Sequence, residues 1–279
     1  MTAATALTGA SHTTSADATG RTGVGTREAV AEGKYWRTRT LQVMTHPRQV
    51  GRGDNKYWLV ERRLSETWTL RDGRAWTTFR RLGATPKSAA DRAAWKRDGS
   101  PRKWSYRTEG MLLELSMEPQ KGRVIPPRPP HGWFLGYTRL TFEELQAAPT
   151  DPKELKTWLH KLYSTPGEPP IDPSADLPSA YADLMHRLPA PKAVRMAAYQ
   201  LLSQMPGATV TDAGKGRKKV TEHSERPNTK ARHARIIDTR DLLLVGTELD
   251  TIHNGKQLNA KTWTTDVKSG WTDNEPAAS

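Results

Sequence analysis

The 279 residues suffice for one large domain or two small ones, yet only 35% are hydrophobic, so part of the chain is expected to fall outside any core. A net charge of +13 favours anionic partners, and the absence of cysteine excludes disulfides, thiolate metal sites and a Cys nucleophile. No apolar run approaches the ~20 residues of a membrane-spanning helix, and the first residues lack a charged region followed by an apolar one, so the chain as it stands reads as soluble and cytoplasmic.

Residues 1–26 are mainly Ala, Thr, Ser and Gly without apolar periodicity and are expected to be disordered. A single domain is expected over residues 27–270, followed by a loose tail at 271–279. "KYWRTRTLQVM" (Lys34–Met44) reads as a strand, with Tyr35, Leu41 and Val43 on one face and Trp36, Thr38 and Thr40 on a wetter one. After a turn at Gln49–Asn55, Trp58, Val60, Leu64, Trp68 and Leu70 share one parity of a long strand. Asp72-Gly73 is a two-residue hairpin signal. Closing the hairpin there pairs Leu70 with Ala75 and Trp68 with Thr77, sets Phe79 on the face of Trp68, and leaves Trp76 opposite. Ala84–Ser105 reads as a long polar loop, Met111–Met117 as a short strand, and "RVIPPRPPHG" as extended or polyproline-like.

Three helices are expected next. The first has Asp151 as N-cap, Pro152 at its first position and the stripe Leu155, Trp158, Leu159, Leu162. The second carries Tyr181, Leu184, Met185 and Leu188. The third starts at Pro191, runs through Val194, Ala198, Leu201, Leu202 and Met205, and stops at Pro206-Gly207. Strands return at Ala208–Asp212, in "RHARIID" and in "LLLVGTEL", with Asn254-Gly255 as a second hairpin signal; "GKGRKKVTEHSERPNTKA" reads as a charged loop or poor hairpin. Strands, helices, then strands, without βαβ alternation, make an α+β fold with an antiparallel sheet.

Five stretches between about Tyr35 and Leu249 resemble, in order and spacing, a family of actinobacterial extracytoplasmic domains of unknown function: "YWRTRT", "ETWTLRDG", "PTDPKELKTWL", "PAPKAVRMAAYQLLSQMPGATV" and "RIIDTRDLLLVGTEL". The resemblance implies a half-barrel like those of lipoprotein carriers and RseB, a curved antiparallel sheet around about three helices. It also implies a place in the cell envelope behind one membrane span. It implies no activity. The chain departs from the family by lacking the span before Tyr35, by Arg240-Asp241 where Thr-Gly is usual, and by the more basic stretch Lys215–Ala231.

No catalytic signature is visible. The eight histidines show no HxH or HExxH spacing, G-x-S-x-G is absent, and "GKGRKK" lacks the P-loop spacing. Glu61 and Glu66 are five apart on a strand and face opposite sides. Neither cofactor nor metal is expected. Basic strands bearing Trp58, Trp68 and Trp76, with Trp95 and Trp104 in the Arg-rich loop, admit a single-strand nucleic-acid platform, but rings placed among aliphatics are more often core. The reading preferred from sequence is a non-enzymatic envelope domain that binds an apolar, lipid-like ligand or a protein partner. Its groove would be walled by Trp58, Trp68 and Phe79 on the sheet and by Trp158, Leu201 and Met205 on the helices; a filled core with the same walls stays open. The basic segments 80–107 and 214–235 would offer an anionic surface a place to dock, and specific nucleic-acid binding is disfavoured.

Overall fold

The computed structural model describes residues 33–108, 111–163, 173–258 and 262–277. The disorder expected for residues 1–26 lies outside them. The elements in chain order are β1 (Tyr35–Thr45), β2 (Leu59–Thr69), β3 (Ala75–Pro86), α1 (Ala89–Arg97), β4 (Lys103–Thr108), β5 (Met111–Ser116), β6 (Arg123–Ile125), β7 (Trp133–Leu135), β8 (Thr138–Leu140), α2 (Phe142–Gln146), α3 (Pro152–Tyr163), α4 (Pro173–Leu184), α5 (Lys192–Ser203), β9 (Thr209–Gly214), β10 (Arg217–Arg226), β11 (Thr229–Asp238), β12 (Leu243–His253), β13 (Lys256–Gln257) and β14 (Trp263–Thr272). Ten strands form one curved antiparallel sheet in the order β6-β3-β2-β1-β14-β12-β11-β10-β9, with β13 beside β12; it does not close into a barrel. The expected α+β class and curved antiparallel sheet are thus observed, with five helices rather than about three.

Two hydrophobic cores sit on one face of this sheet. The larger joins α3, α4 and α5 to Trp36, Val220, Ile237 and Leu244 of the strands. The smaller packs α1 and the β4–β5 hairpin on Leu59 and Ala84, with Tyr57, Trp104, Tyr106 and Leu115 buried. Trp36 and Thr38, expected on the wetter face of β1, in fact point toward the helices and are buried. The backbone at the end of α4 makes this possible, because His186 O accepts from Trp36 Nε1 at 3.0 Å and from Thr38 Oγ1 at 3.1 Å. A buried indole or hydroxyl needs such a partner.

The β2–β3 hairpin corrects a second expectation. Trp68 pairs with Trp76, Thr69 with Ala75 and Ser65 with Phe79. Leu70 N donates to Arg74 O and Gly73 N to Leu70 O, so the loop has three residues, and Gly73 takes positive φ while Asp72 does not. This is a turn closed by a glycine bulge rather than a two-residue turn. The register moves by one, and such a slip exchanges faces. Trp76 therefore joins Trp68, and Phe79 moves to the helix-bearing face.

Other boundaries follow local chemistry. Asp151 caps α3 as expected, with Glu154 N donating to its Oδ1 at 3.0 Å. The stretch Ala84–Ser105 is not a loop: Ser88 and Asp91 form a reciprocal capping box that starts α1, and β4 follows. The charged segment after Gly214 is a regular β10–β11 hairpin closed at Pro227-Asn228, where Asn228 has φ 62. The expected turn at Asn254-Gly255 joins β12 to β13. The tail expected from residue 271 is not loose at its start, since β14 runs to Thr272, pairs with β1, and lays Trp271 against the larger core. Among the described residues no helix is long and apolar enough to cross a membrane.

Candidate functional site

Two adjoining clefts border the tip of the β2–β3 hairpin. Asp72 ties the tip down, accepting Arg74 N on Oδ1 at 3.0 Å and Arg74 Nε on Oδ2 at 2.8 Å. Burial acts to raise the Asp72 carboxyl, but the Arg74 N–H and guanidinium outweigh it and hold the group below its usual range. Gly73 lies flat on Gly132, whose N–H points to Gly73 O at 3.4 Å. A Cβ on Gly73 would overlap the Gly132 backbone, and φ is +82. Gly73→Ala is therefore expected to cost roughly 1–3 kcal/mol in urea unfolding; a change too small to measure would mean that the two loops part freely.

This contact brings β7, β8 and α2 under the hairpin tip. Trp133 Nε1 donates to Arg71 O at 3.0 Å. The Arg71 guanidinium lies 5.6 Å from the centre of the Phe142 ring and 5.5 Å from that of Trp271. Those rings belong to a chain of edge and tilted contacts: Trp133 to Phe142 at 6.5 Å, Phe142 to Trp271 at 5.9 Å, and Trp271 to Trp36 at 5.6 Å. The cleft above them measures about 460 Å³ and is lined by Arg71, Asp72, His131, Arg139, Phe142 and Glu143 among others. A second cleft of about 480 Å³ shares Arg71 and Asp72 and adds Lys34 and Arg74.

Among the described residues Arg71 and Arg139 have no carboxylate partner. Asp72 is engaged with Arg74, which leaves Glu143 as the cleft's free acid. Cation–π contact fixes a guanidinium while leaving its N–H edges unsatisfied. A planar fork of this kind pairs with carboxylate or phosphate. The arrangement can therefore hold an anion, and the rings around it can take an apolar neighbour.

The six groove residues expected from sequence do not line one surface. Trp158, Leu201 and Met205 each pack, partly buried, against the larger core. Trp58 lies just before β2, where its backbone N–H donates to Asp91 Oδ1 at 2.8 Å. Trp68 is buried on the sheet face away from the helices, under the Arg37 guanidinium at 5.3 Å. Phe79 is on the helix-bearing face and 48% exposed. Trp68 and Trp158 therefore do not face each other across one interior; the register places Thr69, paired with Trp36, where Trp68 was expected. Sequence reasoning missed Arg71, Arg139, Phe142 and Trp271. Only Arg71 stood beside a recognised signal, the turn at Asp72-Gly73. Arg139 and Phe142 meet it through the return of the chain after the proline-rich segment, which has no periodicity to read, and Trp271 through the pairing of β14 with β1.

The basic segment 214–235 is largely neutralised within the sheet. Lys219 and Arg232 pair with Glu248 at 2.7 and 3.2 Å, Arg235 with Glu222 at 2.5 Å, Lys230 with Glu225 at 3.0 Å, and Lys218 with Asp212 at 3.4 Å. Neither a known protein-family model nor a curated protein sequence matches the chain.

Proposed function

We propose that this chain is a non-enzymatic binding domain of the cell envelope, and that the hairpin-tip cleft receives the ionised head of an amphiphilic, lipid-like ligand. The observation that carries this reading is Arg71, seated on the Phe142 and Trp271 rings with no carboxylate partner among the described residues. Arg139 adds positive charge to the same cleft, and Phe142 offers an apolar surface beside it. The envelope location rests on the sequence resemblance. A single-strand nucleic-acid reading would need free rings, and Trp104 and Trp95 are engaged: Trp104 Nε1 donates to Tyr57 Oη at 2.9 Å and Trp95 Nε1 to Pro101 O at 2.9 Å.

Co-sedimentation with phosphatidylglycerol and with phosphatidylcholine vesicles tests the proposal. Binding is expected to the anionic vesicles alone and to weaken with salt. Arg71→Ala should reduce it about tenfold, and Arg71→Lys should recover only part of the loss, because an ammonium neither stacks nor forks. Equal binding to both vesicle types, or an Arg71→Ala protein that binds as the parent does, would refute the assignment.

A further inference from the structure

The helix-bearing face of the sheet holds a second surface, apart from the hairpin-tip cleft. Three successive cross-strand rows belong to neither core. One runs Ser269, Thr38, Thr67, Thr77; the next Val267, Thr40, Ser65, Phe79, Arg123; the third Thr265, Gln42, Arg63, Arg81; of these Thr38, Val267 and Thr265 are buried and the rest reach the surface. Two residues separate the rows along each strand, so the three rows span roughly 14 Å. We propose that this strip binds an acidic oligosaccharide, a sugar chain carrying carboxylates.

Three observations point there. First, Thr40, Gln42, Ser65, Thr67 and Thr77 are half-buried, yet among the described residues their side chains make no hydrogen bond. The Ser269 Oγ is buried without a partner among the described residues. Hydroxyls and an amide both donate and accept, as sugar hydroxyls do, and an apolar ligand would leave them all unsatisfied. Second, Phe79 stands exposed in the middle row. A flat ring beside hydroxyls suits the apolar C–H face of a pyranose. Third, the charges do not balance. Arg63 and Arg81 share the single carboxylate of Glu61, and Arg123, beside Phe79, has no partner among the described residues. Three guanidiniums against one carboxylate favour an anionic chain. A nucleic-acid strand would ask for several stacking rings at base spacing, and the strip presents one.

Titration calorimetry with tetragalacturonate, maltotetraose and an eight-residue oligothymidylate tests the assignment. Tetragalacturonate is expected to bind at least about tenfold more tightly than maltotetraose, the difference carried by the charge-assisted contacts. Phe79→Ala and Arg123→Ala alter exposed side chains and should leave the thermal melt in place while weakening tetragalacturonate about fivefold or more. Thr67→Val, which keeps the shape and removes one hydroxyl, should weaken it about threefold or more. Arg71→Ala should leave it unchanged, which separates this surface from the hairpin-tip cleft. No binding of tetragalacturonate at millimolar concentration, binding indifferent to Phe79→Ala, or tighter binding of the oligothymidylate would each overturn the proposal.

Discussion

Glu61→Ala is expected to lower the unfolding free energy by about 3–5 kcal/mol, the usual cost of removing one partner from a buried ion cluster. Glu61 is 1% exposed. Its Oε2 accepts from Arg63 Nε at 3.0 Å and Nη2 at 2.8 Å, its Oε1 accepts from Arg81 Nε, and His46 Nε2 lies 3.5 Å away. The substitution would leave the partly exposed Arg63 and Arg81 guanidiniums without their shared counter-charge. Burial acts to raise the Glu61 carboxyl, but His46, Arg81 and Arg63 together bring it down to about 2. A folded value below the unfolded one means stability that is present above about pH 4.5 and lost as pH falls through about 2. Urea denaturation over that window should show the parent losing roughly 3 kcal/mol that Glu61→Gln has already lost. A Glu61→Ala protein within about 1 kcal/mol of the parent would mean that the cluster is solvated rather than buried.

The second large effect hides in a compensation. Asp183 and His186 sit three residues apart where α4 ends, and they titrate in opposite senses. Burial, opposed by Arg187 and Arg235, pushes the Asp183 carboxyl from 3.8 up to about 6. Burial pushes the His186 imidazole from 6.5 down to about 4, although its Nδ1–H donates to Ala182 O at 2.7 Å. The Asp183 contribution is fully present below about pH 4 and is lost as pH rises through about 6. The His186 contribution is present above about pH 6.5 and is lost as pH falls through about 4. Each amounts to roughly 3 kcal/mol, so between these limits the two nearly cancel. Asp183→Asn should remove one side and produce a protein that loses roughly 3 kcal/mol on acidification from pH 6.5 to 4. His186→Gln should slope the other way. Parallel pH profiles for parent and both variants would rule the compensation out.

Much of the architecture is written in local signals. Asp151 and Pro152 mark the start of α3, Pro206-Gly207 the stop after α5, and Asn254-Gly255 the turn into β13. The misses came where one position decides everything. A hairpin closed with three residues instead of two carries the same Asp-Gly pair, yet it moves Phe79 and Trp76 to opposite faces from those expected. Parity alone could not tell that Trp36 faces helices, because the acceptor that makes its burial favourable is the carbonyl of His186, 150 residues away. The hairpin-tip site was equally hidden. Arg71, Phe142 and Trp271 are each unremarkable in sequence; the sheet order, which sets β14 against β1, brings Trp271, and the return of the chain into α2 brings Phe142.

That order bears on how the protein is made. The strands before the helices form one meander and those after α5 another, and β14, the last strand in sequence, is inserted between β1 and β12. Until Trp263–Thr272 leaves the ribosome, β1 and β12 each present a naked edge. An edge of this kind recruits other chains, and long-range pairing forms slowly. The interval before β14 arrives is therefore when nascent chains of this protein are most open to mispairing, and when a holding chaperone has the most to protect.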